Sequence, residues 1–344
     1  MELAVKLRRL ISRLPNLLTH KSQTSPQHIP ECHILKLPVE LILLIASNLS
    51  LESQIILSMT CRAFRDILYD ARQQARTLPD RQKLNILAAI AYDYPHQWAC
   101  YRCWKLHPMS KDDLPDRPRP CACPRWKSQS TNAFGRYSFQ LSHRHVQMTF
   151  KLMRFAQTER KYAAQLRNLL KACHYTDFPH QPLGESVLFT KLSVYPRLAD
   201  GRYMLHCRWK YEWCIENVSC ETLGILWVCR HQWFISDDQA EFRAEPNNRD
   251  NFFAGPNAIN RATKTAFAIP GVEIRGACHR CATDFSIKAS HKCTIVQTWH
   301  DFGLEGTELD INWRTLRVDD GHDSWCRTLY HEPGSVCALY SNQR

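Results

Sequence analysis

The sequence lacks the hydrophobic segments that secretion or membrane insertion would require. Its longest apolar stretch, residues 37–49, carries Glu40 and is much shorter than the roughly 20 residues that span a bilayer. The opening residues, MELAVKLRRLISRLPNLLTHK, contain no apolar core followed by a small-residue cleavage site. We therefore expect no transmembrane span and no secretory signal, and a cytoplasmic or nuclear location, or both.

Short catalytic motifs are also missing. The sequence contains no G-x-S-x-G, no G-x4-G-K-[ST], no G-x-G-x-x-G and no H-E-x-x-H. Nothing distinguishes a nucleophile or a base among its 16 cysteines and 16 histidines. We therefore expect no catalytic residues, and a chain that is not an enzyme by itself.

Acidic residues are few relative to basic ones. The chain has 45 Lys and Arg against 33 Asp and Glu, a net charge of +12, and the basic residues are scattered rather than grouped in a run. Such a surface favours acidic proteins, anionic membranes or nucleic acid as partners. Ten tryptophans and the Arg-containing stretch HCRWKYEW keep a zinc-stabilised nucleic-acid-binding protein as an alternative.

Cysteine, by contrast, is abundant. Because no export signal is expected, the 16 cysteines should be reduced, and paired cysteines in a reducing compartment indicate metal binding before disulfides. Structural zinc is the cofactor that this reasoning predicts.

Residues 1–31 combine a basic amphipathic helix with a polar linker. Six aliphatic residues recur at helical spacing in the helix, opposite four basic ones: Leu3, Leu7, Leu10, Ile11, Leu14 and Leu17 against Lys6, Arg8, Arg9 and Arg13. A membrane-surface helix, a mitochondrial presequence, a partner helix and a terminal helix without a targeting role all fit this pattern. The linker 19–32, rich in Ser, Gln and Pro, separates the helix from a folded domain.

Residues 34–68 predict three short helices. Pro38 suits a first helical turn, Leu41, Ile45 and Leu49 share one helical face, and Ser50 can cap a second helix. A third helix passes through Phe64 and continues toward residue 77. This trio carries more aliphatic side chains than its own core can hold, which predicts a partner protein on its surface.

The segment resembles the F-box. The positions that carry the resemblance are Leu37-Pro38, Glu40-Leu41, Ile45, Leu49-Ser50, Leu57-Ser58, Thr60-Cys61-Arg62 and Phe64-Arg65. The resemblance assigns the F-box to residues 32–77 and implies docking on a Skp-type adaptor and, through it, on a cullin. The contact residues it implies are Leu37, Pro38, Leu41, Ile45, Leu49, Leu57 and Phe64.

Residues 78–344 predict a larger, cysteine-rich α+β domain, which makes the fold class α+β with zinc stabilisation. We expect a helix at 84–93, a loop at 98–126, one long helix or two shorter ones at 143–174, and a hairpin at 186–216 turning at Asp200-Gly201. A strand is expected at 223–231, a long polar loop at 235–262, and short alternating strands after it.

Two sets of cysteine and histidine residues have the spacing of metal ligands. In one, Cys229 and His231 lie two apart on a predicted strand and so face the same side, where Cys278 and Cys281 can join them. Cys207, Cys214, Cys220, Cys293 and His174 compete as ligands there. The other set is Cys100, Cys103, Cys121 and Cys123, with His107 as an alternative ligand. The loop around this second set is rich in Pro and charge, so it has little else to hold its shape.

Together with the F-box pattern, the stretches CYRCWKLHP and CHRCATDFSI and the following TIVQTWHDFG resemble a large class of cysteine-rich F-box proteins of filamentous fungi. The resemblance implies a substrate receptor of an SCF-type cullin-RING ubiquitin ligase, with a protein target that the sequence does not identify. An F-box protein that acts outside a ligase is a further alternative.

Overall fold

The computed structural model describes residues 33–121, 123, 139–179, 188–213, 218–223, 225–235, 258–316 and 328–342. The helix and linker predicted for residues 1–31 lie outside these ranges, as does most of the polar loop predicted at 235–262. The chain divides into two compact units, Met1–Asp93 and Tyr94–Arg344, which we describe separately.

The first unit is helical. After a 3-10 turn at His33–Lys36, it contains α1 (Val39–Ser47), α2 (Leu51–Ser58), α3 (Arg62–Ile67), α4 (Tyr69–Gln74) and α5 (Asp80–Ala91). The Ser50 hydroxyl accepts a hydrogen bond from the Ser53 amide and caps α2, as the sequence predicts. The predicted third helix is broken at Leu68, where the backbone leaves helical geometry at φ −105° and ψ 32°, so it forms α3 and α4.

The first unit extends further along the chain than the predicted boundary at residue 77. Leu78, just before α5, and Ile86, within α5, belong to the same buried cluster as Ile55 and Phe64. A helix whose apolar face completes a core folds with that core, and the unit therefore ends at Asp93.

The second unit mixes helices with antiparallel sheets, which confirms the α+β class. Its strands are β1 (Gln97–Cys100), β2 (Lys105–Pro108), β3 (Cys173–Pro179), β4 (Leu188–Ala199), β5 (Arg202–Trp213), β6 (Ile225–Cys229), β7 (Gln232–Ile235), β8 (Glu273–Ala277), β9 (Thr283–Ala289) and β10 (Cys293–Leu304). Its helices are α6 (His143–Ala156), α7 (Arg160–Leu169), α8 (Ala258–Ala268), α9 (Ile311–Leu316) and α10 (Ser335–Ser341).

Six strands form one antiparallel sheet in the order β3-β4-β5-β10-β9-β8, and β1-β2 and β6-β7 form separate hairpins. The predicted turn between β4 and β5 is confirmed, with Asp200 at φ 47° and Gly201 at φ 69°. Two successive residues with positive φ give the tight turn whose twist matches a hairpin, and glycine tolerates that geometry.

The large sheet has a core face and an outer face because side chains alternate along each strand. On β5, Leu205, Cys207 and Trp209 point into the main core, where helices α6, α8 and α9 also contribute side chains. The intervening His206 and Arg208 point to the outer face, on which α10 packs through Val336.

Two expectations of the sequence are wrong in the second unit. The segment 98–126, predicted as a loop, begins with the β1-β2 hairpin, because backbone pairing from Gln97↔Pro108 to Cys100↔Lys105 orders it. Residues 258–268 form a helix rather than loop and strand, since Ile259, Ala262 and Ala266 pack at helical spacing into the core. The C-terminal residues form α9 and α10. Among the residues described, no helix is long and apolar enough to span a bilayer.

Candidate docking surface and metal centres

Helix α1 has far more aliphatic surface than its contacts inside the first unit use. Only Ile42 and Ala46, one helical turn apart, are buried in the core. Seven aliphatic side chains of this helix and of the residues before it are 37–60% exposed, and we call them the aliphatic surface: Leu35, Leu37, Val39, Leu41, Leu43, Leu44 and Ile45. Exposed apolar side chains in this number are typical of a protein-binding surface.

Hydrogen bonds at both ends hold α1 in place. The amides of Leu41 and Ile42 donate to the Pro38 carbonyl at 3.0 and 3.2 Å and start the helix. At its end, the side chains of Ser47 and Asn48 both donate to the Leu44 carbonyl at 2.8 Å. The aliphatic surface is thus carried by a helix whose first and last turns are closed by hydrogen bonds.

The sequence-predicted contact residues divide into three groups. Leu37, Leu41 and Ile45 lie in the aliphatic surface, and Pro38 is exposed beside them. Leu49 is partly buried against the helical core. Leu57 and Phe64 are each only 4% exposed and lie inside that core, so their prediction as contact residues is wrong. Their apolar character reflects packing that supports α1 rather than contact with a partner.

The first candidate metal centre is formed by Cys100, Cys103, His107 and Cys123, whose ligand atoms all lie within 4.8 Å of one another. Cys100 ends β1, Cys103 lies in the turn and His107 lies in β2, so one short hairpin supplies three of the four. The Cys103 Sγ lies 2.9 Å from the His107 Nε2, and the Cys100 Sγ lies 3.8 Å from the Cys123 Sγ.

Helix α6 holds this hairpin through a pair of hydrogen bonds. The Ala99 amide donates to the Gln147 Oε1 and the Gln147 Nε2 donates to the Ala99 carbonyl, both at 3.1 Å. Gln147 is buried, and its amide replaces the strand partner that β1 lacks on this edge. Sequence reasoning missed Gln147, since nothing in a helical repeat reveals a side chain that pairs with a distant strand.

The fourth position of the first centre is where the predicted ligand set differs from the structure. Cys121 lies outside the group of four, and His107, the predicted alternative, takes its place. The Cys121 Sγ instead accepts a hydrogen bond from the Cys123 amide at 3.3 Å.

The chemistry of the first centre suits a cation. Burial lowers the pKa of His107, with a smaller effect from Lys105, and the imidazole is therefore neutral and able to ligate at neutral pH. Burial raises the pKa of the Cys100 thiol, so without a cation this thiol stays protonated among the neighbouring ligand atoms. A bound cation would displace that proton.

The second candidate metal centre is formed by Cys229, His231, Cys278 and Cys281, again with all ligand atoms within 4.8 Å. The structure brings together all four residues that the sequence analysis selected. The physical reason differs from the predicted one. Cys229 ends β6 after a register shift, and His231 lies in the turn before β7, so the two converge through a turn rather than by strand alternation.

The other half of the second centre is a turn between β8 and β9. The Cys278 amide donates to the Thr283 carbonyl at 2.8 Å, and the Thr283 amide donates to the Cys281 carbonyl at 2.7 Å. These bonds fold the intervening residues so that both sulfurs point inward. The Thr283 hydroxyl also lies 3.0 Å from the Nδ1 of buried His300, which connects the turn to β10.

Two observations indicate that the second centre fits a metal ion. Both ring nitrogens of His231 are buried, and within the described part of the chain they form no hydrogen bond of ordinary geometry. Hydrogen bonds from Cys229 and Cys281 hold the pKa of Cys278 well below its usual range, while burial raises the pKa of Cys229 and Cys281. A buried thiolate beside an unsatisfied imidazole is a donor set that a cation would complete.

The competing candidate ligands lie elsewhere. Cys207 is buried on the core face of β5, Cys293 begins β10 beside Ser290, and His174 faces Ser193 across β3 and β4. Cys220 is partly buried at the edge of the main core, and Cys214 is outside the described residues. Neither group of four includes any of them.

The family model of the F-box domain matches residues 34–72. No curated protein and no solved structure matches the chain. The match covers the helices that carry the aliphatic surface and stops before the second unit and its metal centres.

Proposed function

We propose that this chain, which its domain at residues 34–72 makes an F-box protein, is a substrate receptor of an SCF-type cullin-RING ubiquitin ligase. The F-box domain supports binding to a Skp-type adaptor, and the adaptor would connect the chain to a cullin. The observation that carries the proposal is the aliphatic surface, which lies within the matched domain and leaves Leu44, at 60%, more exposed than buried.

In this proposal the chain contributes proximity rather than chemistry. F-box proteins are in general non-catalytic receptors, and holding a target near the ubiquitin-loading subunit raises the effective concentration of its lysines. The second unit would present the target, since the first is occupied with the adaptor.

Co-purification with a Skp-type adaptor tests the proposal. We expect the wild-type chain to retain the adaptor and a variant with Leu37→Ala and Pro38→Ala to retain less of it. Adding the cullin to the same experiment separates a ligase subunit from an F-box protein that acts outside a ligase. If the wild-type chain does not bind the adaptor, the proposal is wrong.

We also propose that both candidate centres hold zinc in a structural role. Each offers three cysteines and one histidine, a set that zinc binds with tetrahedral geometry and that leaves no position for a substrate. Zinc bound there would stabilise the hairpins against unfolding. This role requires reduced thiols, which is consistent with a cytoplasmic or nuclear location.

The nucleic-acid alternative has less support. On the outer face of the large sheet, basic residues alternate with carboxylates and pair with them, as in Lys191–Glu212 and Arg275–Glu273. A continuous phosphate backbone is better matched by an unbroken basic stripe. Binding to mixed DNA and RNA at moderate salt would favour this alternative, and no binding would remove it.

A further inference from the structure

The outer face of the large sheet carries a cleft of about 470 Å³ in the second unit. We call it the sheet cleft, and its lining includes Tyr195, His206, Arg208, Glu273, Lys288, Gln297 and Tyr340. Six of them come from strands β4, β5, β8, β9 and β10, and Tyr340 comes from α10, which packs on this face. The cleft lies on the opposite side of the sheet from the main core, and no residue of either candidate metal centre lines it.

One wall of the sheet cleft is rigid and aromatic. The His206 ring stacks between Tyr195, at 5.4 Å and 20° between planes, and Trp299, at 5.0 Å and 5°. The Tyr340 hydroxyl donates to the Tyr195 carbonyl at 3.1 Å and holds α10 against this stack. An ordered aromatic wall binds a planar or apolar side chain with little loss of conformational entropy.

His206 adds no positive charge to the wall at neutral pH. Burial lowers its pKa to about 4, with a smaller lowering by Arg208. Its Nε2 lies 3.2 Å from the Gln297 Oε1, and because that oxygen can only accept, the neutral ring donates from Nε2. Among the residues that line the cleft, the cationic groups are therefore Arg208 and Lys288.

Arg208 and Lys288 form no ion pair within the described ranges, although other basic residues on the same face are engaged. Those contacts are Lys191–Glu212 at 2.9 Å, Arg275–Glu273 at 3.6 Å, and Arg197 with the Tyr340 carbonyl at 2.9 Å. Arg208 and Lys288 lie on β5 and β9, on either side of β10, so two exposed positive charges flank the middle of the cleft.

We infer that the sheet cleft binds an acidic segment of the target protein, with carboxylates pairing with Arg208 and Lys288 and a neighbouring side chain packing on Tyr195 and Tyr340. This inference rests on the proposed function, since it identifies where the receptor holds its target. Arginine and carboxylate match each other in geometry as well as charge.

A protein segment fits the cleft better than nucleic acid does. Glu273 also lines the cleft, and Glu212 lies on the same sheet face. A continuous chain of phosphates would run past Glu273, which lies opposite Lys288 on β8, whereas a peptide can place one or two separate carboxylates beside Arg208 and Lys288. The volume of the cleft suits a few side chains rather than a helix or a duplex.

Fluorescence anisotropy on the complex of the full chain with the adaptor tests the inference. The probe is a fluorescein-labelled peptide of about ten residues of glutamate, tyrosine and glycine, compared with one in which lysine replaces glutamate. We expect the acidic peptide to bind and the basic one not to bind, with affinity falling as salt rises. Arg208→Gln and Lys288→Gln should each weaken binding about fivefold or more.

Arg261→Gln is the matched control. Arg261 is exposed on α8, which packs on the core face of the sheet, and its substitution should leave binding unchanged. Equal binding of acidic and basic peptides, or unchanged binding in the variant that combines Arg208→Gln with Lys288→Gln, overturns the inference. Displacement of the acidic peptide by an oligothymidylate that binds more tightly overturns it in favour of nucleic acid.

Adaptor binding, measured on the same preparations, separates this inference from the proposed function. If the adaptor is retained and the acidic peptide is not bound, the assignment of the sheet cleft is wrong and the receptor function stands. If the chain does not bind the adaptor, the receptor function is wrong whatever the peptide does.

Discussion

Replacing Leu41 and Leu44 by glutamine should separate adaptor binding from folding. Their side chains are 45% and 60% exposed, which together amount to about one fully exposed leucine. Burying one leucine contributes about 1.5–3 kcal/mol, so the double variant should bind the Skp-type adaptor roughly 10- to 150-fold more weakly. Glutamine forms helices nearly as well as leucine, so α1 should persist, and the free energy of unfolding should change by less than about 1 kcal/mol.

Isothermal titration calorimetry with purified adaptor measures the affinity, and thermal unfolding of the same samples measures the stability. Ile269→Gln is the matched control, because Ile269 is 51% exposed but lies in the second unit. We expect its affinity for the adaptor to equal that of the wild type. A double variant that keeps wild-type affinity and wild-type stability would refute the assignment of the aliphatic surface as the adaptor site.

Three further predictions follow from the core, the metal centres and the outer face of the sheet. Phe64→Ala should destabilise the first unit by about 3–5 kcal/mol in urea denaturation because Phe64 is in the core, and an affinity change at unchanged stability would contradict this. Elemental analysis should find about two zinc ions per wild-type chain and about one in the Cys229→Ser or His107→Ala variant. The Cys121→Ser variant should keep two, and a loss of zinc in this variant would show that Cys121 is a ligand after all. Burial lowers the pKa of His206 from 6.5 to about 4 in the folded chain. As the pH falls below about 6.5, His206 is therefore protonated in the unfolded chain but stays neutral in the folded one. The free energy of unfolding should consequently decrease as the pH falls from about 6.5 to about 4. His206→Phe keeps an aromatic ring in the stack without this titration, and across that window it should lose up to about 3 kcal/mol less stability than the wild type; equal pH profiles would contradict the assignment.

Much of the helical unit can be predicted from local sequence. Pro38 at the start of α1, Ser50 as the cap of α2 and the i, i+4 spacing of apolar residues act within a single turn of helix, so they do not depend on the rest of the fold. What the spacing could not separate was the buried face from the exposed one. Leu57 and Phe64 have the same apolar character as Leu41 and Ile45, and only packing places the first pair inside and the second pair outside.

The metal centres show a similar division. Spacing selected all four residues of the second group and the three cysteines of the first, with His107 only as an alternative ligand. In each C-x2-C pair, a gap of two residues lets one turn aim two sulfurs at a single point. Spacing could not choose between Cys121 and His107. That choice depends on the β1-β2 pairing, which sets His107 opposite Trp98 and close to Cys103.

The sheet cleft was not accessible from sequence at all. Its residues come from five strands and a C-terminal helix, and their proximity depends on the strand order β4-β5-β10-β9-β8, which brings β5 beside β10 across some 80 intervening residues. Alternation along a strand predicts which residues share a face, but it does not predict which strands are neighbours.

The amino-acid sequence by itself therefore determined the F-box helices, the α+β class and the residues available to bind metal, because capping, helical periodicity and ligand spacing act over a few residues. Tertiary structure decided which leucines face outward, whether Cys121 or His107 joins the first centre and which charges on the sheet form ion pairs. These properties arise from contacts between segments far apart in the chain, and no short stretch of sequence specifies its own distant neighbours.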